Sequence, residues 1–295
     1  MTSRRTRILA AALLVLCGAV LLTAQAPPRH FLWTVRGEGP SVAYLLGSLH
    51  VLTPDFYPLP ERIEQAFAAS GTLVEEIDLA EMESPETLMA AMSKAVFLDG
   101  RTLEQVISPA LYARVAGKAA PAGLPMTALA RMKPWMVAVS LTAPAMKQAG
   151  FDPAMGVDRH FFDRARAAGI PVEGLETLAY QLDRFDTLPM ALQAGMLEAA
   201  MDDLETQIAQ VRVIAGAWAR GDVTVIERLL LEGFRDAPEL TERFLVERNR
   251  NWVPKVDDCL ARPRPCFIVV GAAHLVGPDS LVALLRTKGY DVVQQ

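Results

Sequence analysis

Hydrophobic and polar positions follow two rhythms in this chain. Near the C-terminus, Phe267, Ile268, Val269 and Val270 make a short, wholly apolar run that stops at Gly271, with His274 three residues on. A run of this length and composition, ended by glycine, predicts a buried strand with a histidine just beyond its tip. The same design occurs near the other end, where Tyr44, Leu45 and Leu46 lead to Gly47 and then His50. Two strand–GxxH units at opposite ends of a chain suggest one site assembled from both.

Other short apolar runs extend the sheet. Phe31–Val35 and Ser41–Leu46, joined by the turn-rich Arg36–Pro40, predict a hairpin. Thr72–Leu79 is apolar enough for a strand, yet Glu75, Glu76 and Asp78 interrupt it. A period of two places Val74, Glu76 and Asp78 on one face, with Leu73, Glu75 and Ile77 on the other. Acids are depleted in strands. This stretch is therefore either the solvated end of an edge strand or a carboxylate pair at the carboxyl end of a sheet, where α/β ligand sites lie. Ile170–Thr177, with Glu173 and Glu176, predicts another short strand, and Tyr290–Val293 a terminal one.

Between these runs the spacing is helical. Pro60 opens a helix to about Ala69, with Ile63, Ala66 and Phe67 on one face. Residues 84–154 are helical with proline breaks, and Ser84–Pro85 and Ser108–Pro109 read as caps followed by first-turn prolines. The methionines scattered there read as irregular core filling. Gly156–Gly169 is a helix with a glycine stop, carrying Asp158, Arg159 and His160. His160 alone reads as an ordinary helix histidine. A helix from Thr177 to about Phe185 follows, and residues 187–254 are almost wholly helical, ending in a run of donors from Arg248 and Asn249 to Trp252. That end is either a polar surface or an anion- or carbonyl-binding group facing the site. Pro278–Lys288 predicts a last helix. The expected fold is α/β (α+β): a mixed central sheet flanked by helices, one domain over residues 27–295, with a helical insertion at about 84–254.

Composition narrows this picture. Of 295 residues, 52% are hydrophobic and 21% charged, which fits a globular chain and excludes a disordered one. A net charge of −5, with no basic cluster beyond Arg4, Arg5 and Arg7, argues against nucleic acid as a partner. Those arginines precede an apolar run from Ile8 to Ala24, and Ala24 and Ala26 are small residues in a cleavage-like position. Residues 1–26 therefore read as a secretory signal. Pro27 is a poor neighbour for cleavage, so a retained anchor through residues 8–24 stays open. Cys17 lacks the small preceding residues of a lipoprotein signal. The expected protein is exported, periplasmic or secreted, and tethered at most once. In that compartment Cys259 and Cys266, seven positions apart, read as a disulfide. Metal thiolates are the competing reading, but there is no CxxC spacing and no nearby histidine.

Of four histidines, two sit in matching GxxH contexts. Glycine three positions earlier permits a sharp turn and close approach of backbone or ligand. Imidazoles from two strand ends, with carboxylates from a third, form a mixed nitrogen–oxygen set suited to zinc, manganese, cobalt or iron(II) rather than calcium. With an open position such a set activates water for hydrolysis. There is no HExxH, GxSxG, P-loop or helix-opening GxGxxG.

Taken in order, Tyr44–His50, Leu73–Leu79, Gly156–Phe162, Pro171–Thr177, Glu247–Trp252, Val270–Asp279 and Leu285–Tyr290 resemble the TraB/GumN family, which includes the Tiki proteases. The resemblance implies an α/β fold of two pseudo-symmetric halves, similar to erythromycin esterases and haem-binding ChaN-like proteins. It implies a metal-dependent peptidase using manganese or cobalt. By position it puts His50, His274 and Glu76 in the metal site, with Asp78 matching the family's second acid. Glu75 is an extra acid, so the choice between the two glutamates stays open. Glu76 is expected to act also as general base, with Arg159, His160, Glu176, Arg248 and Asn249 as candidates for oxyanion or substrate contacts. The competing expectations are a non-enzymatic binder of metal, haem or a small peptide, and a hydrolase of a non-peptide ester.

Overall fold

The structure, a computed structural model, describes residues 29–202, 204–233 and 237–295. The signal or anchor expected at residues 1–26 lies outside the described residues. Among the described residues no helix is long and apolar enough to cross a membrane.

Six strands form one mixed sheet: β1 Leu32–Arg36, β2 Val42–Ser48, β3 Thr72–Glu75, β4 Val172–Gly174, β5 Cys266–Gly271 and β6 Asp291–Gln294, in the order β4-β3-β5-β2-β1-β6. The expected hairpin is present as antiparallel β1 and β2. The two GxxH strands are direct neighbours, because β2 and β5 pair in parallel with Ser48 opposite Gly271. β3 pairs in parallel with the other edge of β5, with Glu75 opposite Val269. All three therefore present their carboxyl ends on the same side.

The apolar run of β5 is buried on both faces, as expected of a central parallel strand. On one face lie the helices here called α1 (Glu61–Ala69) and α5 (Val157–Ala168), and the Phe67 and Phe161 rings lie 5.5 and 4.8 Å from that of Phe267. The other face is covered by α10 (Glu247–Leu260), held through the Cys259–Cys266 disulfide. The bond ties the end of α10 to the first residue of β5, so it fixes where the His274-bearing strand begins. The helical run, expected to reach residue 254, passes through Pro254 to Leu260, and Arg248 and Asn249 in the first turn of α10 are buried.

The middle of the chain forms the helices α2 (Pro85–Ala95), α3 (Pro109–Ala119), α4 (Pro134–Gln148), α6 (Leu178–Asp186), α7 (Met190–Met201), α8 (Leu204–Ala219) and α9 (Val223–Glu232). Ser84 and Ser108 cap α2 and α3 through their hydroxyls, and each is followed by its first-turn proline. Parts of α3, α4 and α7 share a second apolar cluster, with Leu111, Val115, Val137 and Leu197 at its centre. A final helix, α11 (Leu281–Thr287), precedes β6.

Replacing both Cys259 and Cys266 by alanine reopens a short loop. By chain entropy this costs about 2 kcal/mol. Urea unfolding should show that loss with an unchanged slope, whereas no loss would mean that packing alone seats β5.

Candidate active site

Four elements meet at the carboxyl end of the sheet around one arginine. Arg248, near the start of α10, is 7% exposed. Its Nε donates to Glu176 Oε1 and Oε2 at 2.9 and 3.2 Å, and its NH2 donates to Glu176 Oε1 at 2.6 Å and to Glu76 Oε2. NH1 donates to the Phe244 carbonyl at 3.1 Å and lies 3.0 Å from His274 Nε2. A guanidinium has five N–H donors and no acceptor, so the imidazole nitrogen accepts here. Trp252 lies one helical turn on, beneath the guanidinium at 4.7 Å, and also donates its indole N–H to Glu176 at 3.1 Å.

His274 follows β5 in a short 3-10 turn and is buried. Its Nδ1 lies 2.7 Å from Asn249 Oδ1, while the Asn249 amide donates to the Asp279 carbonyl. Because that oxygen can only accept, the proton sits on Nδ1 and the lone pair on Nε2. Burial lowers the imidazole to about 3, and Arg248 and His50 push the same way against Glu76. His274 is neutral at pH 7.

Glu76 lies just past the end of β3. Its Oε1 accepts from the Gly271 N–H at 2.7 Å, and its Oε2 accepts from Gln181 at 2.9 Å and from Arg248. Burial alone would raise this carboxyl, but Arg248, His274, His50 and the Gly271 N–H outweigh it and hold it at about 2. His50, in contrast, is 64% exposed. Its Nδ1 stands 3.3 Å from Asp158 Oδ1, and that carboxylate lifts the imidazole above its usual range. Asp158 reaches it because the start of α5 docks on the His50 loop through a Val157 N–H bond to the Leu49 carbonyl.

The two motif glycines serve close approach, as expected. A Cβ on Gly47 would lie 2.3 Å from the Phe31 ring. A Cβ on Gly271 would lie 3.1 Å from Glu76 Oε1 and 3.7 Å from both His50 Nε2 and His274 Cδ2. His50, Glu76 and His274 thus surround the space that the missing side chain leaves. Both histidines have Nδ1 against an oxygen, the orientation that outer partners give to metal-ligating imidazoles. The donor set fits a divalent ion in kind. However, among the described residues no three His, Cys, Asp or Glu stand at metal-holding spacing, and Arg248 takes the His274 lone pair.

Several expected site residues stand elsewhere. Asp78 does not share a strand face with Glu76, because β3 ends at Glu75 and Asp78 turns to cap a 3-10 turn through the Ala80 N–H. His160 faces away from the cavity, against the Tyr57 ring and 3.7 Å from Glu64. Arg159 lines the cavity but is paired with Asp163 one turn on, at 2.9 Å. Glu176 and Asn249 sit behind Arg248 and His274 and hold them in place. Asp158 and Gln181 were not anticipated. The signal for Asp158 lay in the same helix segment, but helix phase relative to His50 cannot be read from one sequence.

A cavity of about 610 Å³ opens beside this group, lined by Ser48, His50, Glu75, Glu76, Asp158 and Arg159 among others. Glu75 is 2% exposed, and neither of its oxygens has a hydrogen-bond partner among the described residues. Burial, reinforced by Asp158, Asp78 and Glu76, raises it to about 9. The neighbouring glutamates are therefore in opposite protonation states at pH 7.

A sequence model of the TraB/PrgY/gumN family matches residues 31–294. The "Uncharacterized protein YbaP" of Escherichia coli (strain K12) is 23% identical over 261 residues, covering 87% of this chain and 94% of its own. "Metalloprotease TIKI2" of Danio rerio is 23% identical over 322 residues, covering 91% of this chain and 61% of its own. "Metalloprotease TIKI1" of the same fish is 33% identical over 94 residues, covering 32% of this chain and 18% of its own. No solved structure matches.

Two outcomes follow for metal-free protein. Arg248→Met leaves Glu76 and Glu176 without their cation and should cost about 3–5 kcal/mol in urea unfolding; a loss below about 1 kcal/mol would show the cluster to be well solvated. The pH dependence has a definite sign. Glu75 (4.5 unfolded, about 9 folded) contributes stability that is complete below pH 4.5 and lost as pH rises towards 9. Glu76 and His274, with depressed folded values, contribute above pH 4.5 and 6.5 and lose it as pH falls towards about 2 and 3. With chelator present, stability should decline from pH 6.5 to 9. Glu75→Gln should flatten that decline, leaving the smaller slope from His50, and an unaltered slope would show that Glu75 is solvated.

Proposed function

The chain belongs to the TraB/PrgY/gumN family, and from that premise we propose that it is an exported, metal-dependent hydrolase that cuts peptide bonds. The observation that carries this is the paired orientation of the histidines. Each has Nδ1 against an oxygen, and both rings flank Glu76 around the open side of Gly271. Tiki relatives named as metalloproteases support the choice of reaction. The basic start and apolar run at residues 4–24 support export, with a single N-terminal tether as the alternative to cleavage. Peptides or small molecules, rather than nucleic acid, are the proposed substrates.

His50, His274 and Glu76 would hold the ion, with manganese or cobalt favoured by the family resemblance. Bound there, a divalent ion supplies Lewis acidity to a carbonyl and makes a water molecule easier to deprotonate. The protein's own groups do the rest. Glu76 stays ionised at neutral pH, so it is able to accept a proton from the attacking water. Gln181 and Arg248 restrain one of its oxygens, which keeps the other beside Gly271. Asn249 fixes the His274 tautomer and Asp158 orients His50. Arg248 spends its N–H groups on Glu76, Glu176, His274 and Phe244, and so acts as a fixed positive charge rather than a free oxyanion donor. Arg159 remains on the cavity wall as a candidate substrate contact.

A second reading, a protein that captures a metal, haem or peptide without turnover, draws on the bond from Arg248 to the His274 lone pair, which suits a state with no ion on that nitrogen.

One experiment separates the two. Purified protein loaded with manganese or cobalt is expected to cleave members of a peptide library, and chelator to abolish this. His50→Ala, His274→Ala and Glu76→Gln should each lower the rate by about 100-fold or more. Unchanged cleavage in both histidine variants would overturn the peptidase reading. Stoichiometric metal or haem uptake with no cleavage would establish the binder.

A further inference from the structure

Among the described residues, two buried polar side chains that line the cavity have no hydrogen-bond partner. Both Glu75 oxygens lack one, and so does Ser48 Oγ; each residue is 2% exposed. The sheet register explains why both face one cavity. Glu75 stands opposite Val269 and Ser48 opposite Gly271, positions two apart on β5, so both point to the same face of the sheet. With Val269 they line the cavity floor, and Asp158 of α5 lines it from the helix side. Ile77, Leu79 and Met82 add an apolar wall.

Among the described residues neither side chain hydrogen-bonds to the Arg248 cluster or to any other group that would account for its burial. Burying a carboxyl and a hydroxyl without hydrogen bonds is costly. A ligand that hydrogen-bonds to them removes that cost.

We propose that Ser48, Glu75 and Asp158 form a subsite for a primary ammonium group on the substrate, either a lysine side chain or a free amino terminus. The Asp158 carboxylate, the carbonyl oxygen of the Glu75 carboxyl and the Ser48 hydroxyl can all accept, and an ammonium offers three donors and no acceptor. The apolar wall suits a methylene stem, as amphipathic side chains lay their stems on such surfaces. An anionic ligand would meet the Glu76 and Asp158 carboxylates, while the guanidinium of Arg159 on the cavity wall is already paired with Asp163. The subsite adjoins His50 and Glu76, so a substrate anchored there lies across the proposed reacting group. This last point rests on the peptidase reading. The binding itself does not.

The test is calorimetric binding of short blocked peptides to the purified full chain at pH 7. The series carries lysine, norleucine or glutamate at one position, and a second pair compares a free with an acetylated amino terminus. A lysine peptide or a free amine should bind roughly tenfold tighter than its neutral isostere, because the site's buried acceptors are unpaired with the isostere. Whichever arm shows the gap identifies the source of the ammonium. The gap should shrink to about threefold or less in Glu75→Leu and narrow in Ser48→Ala; the second variant keeps the test intact if the first does not fold. Equal affinity for charged and neutral peptides, or a gap unchanged in both variants, overturns the subsite. Preference for ammonium without turnover sinks the peptidase reading and leaves the subsite standing. Turnover without that preference does the reverse.

Discussion

A buried guanidinium has to be matched, and the matching of Arg248 determines how this end of the sheet is built. Its five N–H groups draw Glu76 from the end of β3, Glu176 from the turn after β4, His274 from the turn after β5 and the Phe244 carbonyl from the helix before α10. Removing any one of these groups leaves either a charge or a donor without its partner in a poorly hydrated place. The same arginine keeps Glu76 ionised and helps to keep His274 neutral, so the electrostatics of the site and the convergence of its strands have a common cause.

Adjacent residues show how strongly position decides chemistry. Glu75 is the last residue of β3 and lines the cavity without a hydrogen-bond partner among the described residues. Glu76 comes after the strand has ended and turns to Gly271, Gln181 and Arg248. One carboxyl is pushed up to about 9 and the other held at about 2. Environments that push paired carboxyls apart are how proteins assign acid and base roles. The two glutamates between which the sequence leaves the choice open have different surroundings: Glu76 stands among the histidines, and Glu75 lines the cavity without a hydrogen-bond partner.

Legibility followed range. The apolar runs at Phe267–Val270 and Tyr44–Leu46, the serine–proline caps of α2 and α3, the glycine stop at Gly169 and the close cysteine pair are all local signals, and each corresponds to a feature of the structure. Period two failed at Asp78 because it assumes the strand continues, and β3 stops at Glu75 to begin a turn. His160 and Asp158 are two residues apart on one helix. Which of them faces His50 depends on how α5 rotates against the sheet, and the bond from Val157 to Leu49 sets that rotation. Arg248 and Asn249 could have been a polar helix end; they lie in the first turn of α10 and are buried among the strand ends it packs on.

The sequence by itself determined the strands, the helices, the disulfide and the histidines at two strand tips, because period, caps and glycine stops act within a few residues. Only the tertiary structure decided that the two GxxH strands lie side by side, that Arg248 stands between Glu76 and His274, and that Ser48 and Glu75 face one cavity. Those relations depend on register between distant strands and on helix phase, which are set by burying apolar faces against one another and leave no mark at any one position in the chain.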